Sequence, residues 1–181
     1  MPLFPAVVVL ALSGCWRDQV PLFDDTGAGT PCSGTRTEDM GCVVDGDTFD
    51  LESCGGERVR LLGVDTPEVH DVSEPECYGP EASAFLKDLI PEGTPLTLRF
   101  DTECTDTYER TLAYLYIDDP EAADTGEAEE IFVNELILSE GYGRWFDADI
   151  GNAQDIREKE RLQAAEDEAR AAGRGLWGAC E

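Results

Sequence analysis

Two apolar runs dominate the first half of the chain. Residues 43–51 read VVDGDTFDL, and residues 58–64 read RVRLLGV. Their alternating or solidly branched side chains predict two paired strands. The intervening Ser53-Cys54-Gly55-Gly56-Glu57 carries a Gly-Gly turn signal, so the runs should fold back as a hairpin. Leu96 to Phe100 and Leu112 to Ile117 repeat the strand pattern. Three stretches change to helical spacing. Pro80 to Ile90 opens on a proline with Glu81 in the first turn, carries an Ala84, Phe85, Leu89 stripe, and stops at Pro91-Glu92-Gly93. Phe132 to Leu138 is short and closed by Gly141. Asn152 to Ala172 is long, charged and ended by Gly173 and Gly175. Its apolar side is thin: Ile156, Leu162, Ala165 and Ala169. Leu176 and Trp177 are expected to pin the tail to the barrel. Strands come first and helices follow without regular alternation, which excludes a doubly wound sheet. The pattern fits an α+β, mainly β chain: a small five-stranded barrel with three helices.

Outside these elements the chain is polar. Residues 16–39 have no period and read as a flexible tether. Asp118 to Glu130 is acidic and reads as a solvated loop that lengthens a hairpin. Residues 1–15, MPLFPAVVVLALSGC, have a short apolar centre followed by Leu12-Ser13-Gly14-Cys15. This resembles a bacterial lipoprotein signal, with Cys15 the acylated residue. The run is far shorter than the ~20 residues that cross a bilayer. It departs from the pattern in one respect: no Lys or Arg precedes it. The expectation is an exported, membrane-anchored lipoprotein, periplasmic or on the cell surface.

Composition adds size and charge. The chain has 181 residues, 41% of them hydrophobic, enough for a core and not the mark of a disordered acidic tail. Forty acids face 13 bases, for a net charge of −27. A protein that binds nucleic acid usually advertises a basic face, and this one does not. We assign the acid excess to solubility or a salty environment. With a Debye length of about 8 Å, remote carboxylates slow the approach of an anion more than they block a local cationic site. Six cysteines follow Cys15, none at zinc spacing, and an exported chain would use them as disulfides.

The chemistry gathers at the first two strands. Asp45, Asp47, Asp65 and Glu68 sit at or just beyond them, with Arg60 between. Carboxylates with an arginine, and no cysteine or histidine ligand, point to a hard cation and an anionic substrate. His70 is the only histidine and is expected on the surface. Asp45 and Asp50 are also explained as surface aspartates flanking turns.

The motif Asp45-Gly46-Asp47-Thr48, followed by Arg60-Leu61-Leu62-Gly63-Val64-Asp65-Thr66-Pro67-Glu68, closely resembles the staphylococcal nuclease (thermonuclease) family. Tyr78-Gly79-Pro80-Glu81-Ala82-Ser83-Ala84-Phe85, Arg110-Thr111-Leu112-Ala113-Tyr114 and Val133-Asn134-Glu135 agree in order, so the resemblance covers residues 40–178. It implies an OB-fold barrel. It also implies a Ca²⁺ held by Asp47, Asp65 and the carbonyl of Thr66, with Glu68 as general base or water-orienting group. Arg60 and Arg110 would bind the scissile phosphate, and Tyr108 would line the nucleotide site. The family fold further implies a Cys77–Cys104 disulfide. The expected activity is Ca²⁺-dependent endonucleolytic hydrolysis of DNA or RNA, leaving 3′-phosphates, by a monomer. The sequence departs from the pattern at Glu109, where the family usually has glycine. It departs again around Trp145-Phe146-Asp147-Ala148-Asp149, where base-stacking tyrosines are not retained. Two other readings remain open at this point: a catalytically silent OB-fold binding module, and an acidic Ca²⁺-binding surface lipoprotein.

Overall fold

Strand β1 (Thr35–Val43) serves two neighbours in turn. Thr35–Asp39 pairs antiparallel with β5 (Pro95–Arg99), and Met40–Val43 pairs antiparallel with β2 (Thr48–Leu51). The switch falls at a register shift between Met40 and Cys42. Gly41 makes it possible: a Cβ there would lie 2.5 Å from the Ser53 nitrogen. β2 pairs antiparallel with β3 (Arg58–Leu61), and β5 pairs antiparallel with β6 (Thr111–Asp118). β3 then runs parallel to β6 and closes the five strands into a barrel. The computed structural model describes residues 34–70, 73–119, 129–146 and 156–180. Within them the expected OB-fold stands, with α1 (Gly79–Leu89), α2 (Val133–Ser139) and α3 (Lys159–Ala172) as its three main helices.

The core is filled from every barrel strand, among others by Met40, Phe49, Val59, Leu61, Leu98 and Leu115, and β6 is buried along most of its length. Leu86 from α1, Ile137 and Leu138 from α2 and Leu162 from α3 join the same cluster. Each such side chain contributes about 1.5–3 kcal/mol when fully buried. Asn134, inside the Val133-Asn134-Glu135 block, turns out to be a structural tie. Its amide donates to the Leu62 carbonyl at 2.8 Å and its oxygen accepts from the Leu115 nitrogen at 2.8 Å. It thereby locks α2 to the barrel next to the turn between β3 and β4 (Val64–Asp65), and β4 pairs with β8 (Arg144–Trp145).

Several boundaries differ from expectation. β1 begins at Thr35, so residues 35–39 of the expected tether belong to the barrel. The run 43–51 is not one strand. The nitrogens of Val44 and Asp45 both donate to the Thr48 carbonyl, at 2.9 and 3.1 Å, which makes Asp45-Gly46-Asp47 a tight turn between β1 and β2. The acidic stretch 118–130 is the connection of a hairpin, since β6 pairs antiparallel with β7 (Glu130–Phe132) and Asp118 faces Glu130; residues 120–128 lie outside the described set. α3 starts at Lys159.

The disulfide expectation is corrected. Cys77 pairs with Cys180, not with Cys104. The start of α1 lies beside the C-terminal tail. A second bridge, Cys42–Cys54, ties the β2–β3 turn to the end of β1, and Cys104 is also disulfide-bonded. Cys15 lies outside the described residues. The tail also differs: Leu176 and Trp177, in the short α4 (Leu176–Ala179), pack on Ala169 of α3 with Tyr78 and Cys180, in a cluster separate from the barrel core. They reach the rest of the fold through glycine. A Cβ on Gly175 would stand 2.2 Å from the Gly141 carbonyl, which accepts the Leu176 nitrogen at 2.9 Å.

Candidate active site

The site begins with a buried carboxylate. Asp47 ends the first turn, and every one of its acceptor positions is used. Oδ2 accepts from the Thr66 nitrogen at 2.7 Å and from its hydroxyl at 3.0 Å. Oδ1 accepts from the Thr48 hydroxyl at 2.9 Å and from Nη1 of Arg60. Asp47 therefore joins the turn before β2 to the turn after β4, two places far apart in sequence. Gly46 allows the approach, because a Cβ there would meet the Thr66 hydroxyl at 2.7 Å.

Arg60 stands on β3 opposite Thr48 of β2, with only 6% of its side chain exposed. A buried charge must be paired. The fork is shared between two acids: Nη1 goes to Asp47 and Nη2 to Oδ1 of the half-exposed Asp65 at 2.8 Å. Glu68 follows on the turn rigidified by Pro67, its carboxyl in the cleft and its backbone paired with Glu76. Partial burial pushes the Glu68 carboxyl above the usual carboxylate range. Asp45, Asp65 and Glu76 push the same way, and Arg60 opposes them. Burial likewise raises Asp45, against the pull of Arg60, Thr48 and Arg110.

Arg110 arrives from a loop. Its Nε donates to Oδ2 of Asp106 at 2.5 Å, and its own nitrogen and that of Tyr108 donate to Oδ1 at 2.9 and 2.8 Å. Asp106 is the organiser that sequence reasoning missed. The signal was present: an aspartate two and four residues before the groups it serves, the spacing of a side chain that caps its own turn. The guanidinium of Arg110 lies 5.3 Å from the ring centre of the exposed Tyr108. Glu109 between them has φ +64°, the left-handed region that explains a glycine at this place in the family.

These side chains meet in one open cleft of about 860 Å³. Asp45, Arg60, Asp65, Glu68, Tyr108 and Arg110 all line it. Asp47 and Thr66 lie buried behind Arg60. His70 is exposed as expected, but on this cleft, with Nε2 3.1 Å from the Val44 carbonyl. Phe146 lines it too, just before the undescribed residues 147–155. Asp50 is no surface aspartate: it is buried against Arg58 and the Gly55 nitrogen.

An oxygen-only donor set suits a hard divalent cation such as Ca²⁺ or Mg²⁺. The Asp65 carboxylate and the Thr66 carbonyl fit that chemistry, and Asp47 would join them only by giving up one of its present donors, Arg60 first. Among the described residues no three acidic, His or Cys side chains form a ready cage. Instead the Arg60 guanidinium holds the position between Asp47 and Asp65, as the resident counter-charge.

Comparison with known proteins agrees with this geometry. The family model described as staphylococcal nuclease homologue matches residues 58–179. The thermonuclease of Staphylococcus intermedius is 44% identical over 79 residues, 42% of this chain and 46% of that one. The thermonuclease of Staphylococcus hyicus is 30% identical over 152 residues, 83% of this chain and 80% of that one. Endonuclease YhcR of Bacillus subtilis is 29% identical over 144 residues, which span 75% of this chain but 11% of the relative. A family match over most of the chain, on a closed barrel with its arginines and acids in one cleft, leaves a single assignment: the chain belongs to the staphylococcal nuclease family, as a hydrolase of the nuclease class.

Proposed function

We propose that this protein is an exported, Ca²⁺-dependent endonuclease that hydrolyses phosphodiester bonds of DNA or RNA and leaves 3′-phosphates. The observation that carries the reading is the convergence of Arg60, Arg110, Asp65 and Glu68 on one cleft. Two guanidinium forks answer the charge that builds on the equatorial oxygens of an attacked phosphate. The outer nitrogen of Arg60, now on half-exposed Asp65, is the one that can turn to that phosphate. Glu68 takes the proton of the attacking water; burial and the neighbouring acids raise its carboxyl and so favour its taking up a proton. The new O–P bond forms as the P–O5′ bond breaks, and the departing 5′-oxygen takes a proton from solvent. Ca²⁺, held by Asp47, Asp65 and the Thr66 carbonyl, would supply positive charge against the phosphate oxygens. Tyr108 and Phe146 offer ring faces for the bases. The enzyme acts as a monomer, tethered to a membrane through lipid on Cys15.

The test is cleavage of plasmid DNA and of RNA by the purified protein, with millimolar Ca²⁺ and then with a chelator. Cleavage that needs the metal and leaves 3′-phosphate ends is the expected result. Intact substrate in both conditions would overturn the reading.

A further inference from the structure

The cleft holds a third arginine that this mechanism leaves unused. Arg58 and Arg60 are two residues apart on β3, so their side chains leave the same face, with stems about 6.6 Å apart. That is the order of the step between neighbouring phosphates on a nucleic acid strand. Their opposite residues on β2 are Asp50 and Thr48. Arg60 is buried, whereas 47% of the Arg58 side chain is exposed. Its inner edge is fixed: Nε and Nη2 donate to the buried Asp50 carboxylate at 2.9 and 3.4 Å. Nη1 has no protein partner among the described residues.

The surroundings are built for close approach. Gly55 and Gly56 of the β2–β3 turn line the cleft beside Arg58. Asp50 also accepts from the Gly55 nitrogen at 2.7 Å, and Cys42–Cys54 anchors the turn from the other side. Arg58, Arg60 and Arg110 all line the cleft, together with the Asp45 carboxylate. In a chain of net charge −27, a polyanion needs such a local track.

We propose that Arg58 is a second phosphate-binding site, which takes the phosphate next to the scissile one on a polynucleotide strand. The inference rests on the nuclease reading and adds a substrate requirement to it: at least two successive phosphates. An arginine held on one edge by a buried acid keeps its other edge aimed and loses little freedom on binding.

The experiment measures binding of a labelled single-stranded oligonucleotide with chelator present, across a series of salt concentrations. Arg58→Ala should weaken binding about tenfold at low salt and lower the slope of log K against log[salt] by about 0.7, one phosphate contact on a single strand. Arg58→Lys should restore the slope. Binding of a dinucleoside monophosphate, with its single phosphate, should shift less than twofold. Because Asp50 also uses Arg58 to hold the turn, Arg58→Gln serves beside the alanine variant: it keeps a hydrogen-bonding side chain and removes the charge. An unchanged slope, or an equal loss on both ligands, would overturn the proposal. Changed slopes in a protein that never cleaves with Ca²⁺ would keep the Arg58 site and sink the nuclease reading.

Discussion

Arg60 and Arg110 face the same cleft, and each is held by a buried aspartate, yet they are built in opposite ways. Arg60 projects from a barrel strand and is gripped by Asp47 and Asp65, which come from two different turns. Asp47 in turn holds Thr48 and Thr66. Arg110 sits in a loop and takes its order from Asp106, four residues earlier. The first arginine is wired into the core. The second is organised locally, beside a residue in an unfavourable backbone conformation. One phosphate ligand is thus tied into the barrel core, while the other is tied into its own loop.

The comparison breaks most visibly at Asp47. Asp47→Ala strands a buried guanidinium and the Thr66 amide, and should destabilise the domain by about 3–5 kcal/mol, read by urea unfolding. Arg110→Ala should do the reverse. Cleavage should fall about 10²–10³-fold, and the unfolding midpoint should drop less than for Asp47→Ala, because the Asp106 carboxylate that loses its guanidinium keeps two backbone N–H donors from its own loop. If Arg110→Ala unfolds the barrel, the contrast is wrong.

A smaller effect concerns the β2–β3 wall. Burial alone would raise the Asp50 carboxyl, but the Arg58 hydrogen bond and the Gly55 nitrogen outweigh it and hold its pKa below the usual range. A lowered folded pKa contributes stability above the unfolded value of about 3.9, and that stability is lost as pH falls through the folded pKa. Asp50→Asn should therefore flatten the acid limb of the stability curve. Unfolding in urea at a series of pH values from about 6 to about 3 checks it. The smallest effect sharpens the loop side. Glu109→Gly relieves a left-handed residue and should add about 1 kcal/mol of stability. It also removes a carboxylate from beside Arg110, so KM at low salt should fall.

β2, β3, β5 and β6 are legible because the first three alternate apolar and polar residues and the last is a solid apolar run, and each helix has its stripe; the first half of β1 is hidden in a polar stretch. The turn at Asp45-Gly46-Asp47 is not legible, because its residues happen to continue the period of two across a reversal. The pair Asp47–Thr66 was readable only as two family positions. That one buries its carboxylate against the other's amide is a contact across 19 residues, which no local pattern encodes. Asp106 is hard to read from sequence because its work is local capping in a stretch where Arg110 and Tyr108 carry the recognisable pattern. The Cys77–Cys180 bridge was misassigned for a related reason. Its halves meet only after α3 and α4 have folded the tail back past Gly141.

That bridge also changes the connectivity of the molecule. Residues 77–180 form a covalent ring that contains the loop of Arg110, the 120–128 segment and all of α2 and α3. A protease that severs the backbone once inside the ring opens it without releasing a fragment. The two pieces remain one molecule, able to close again around the same cleft, for as long as the surroundings stay oxidising.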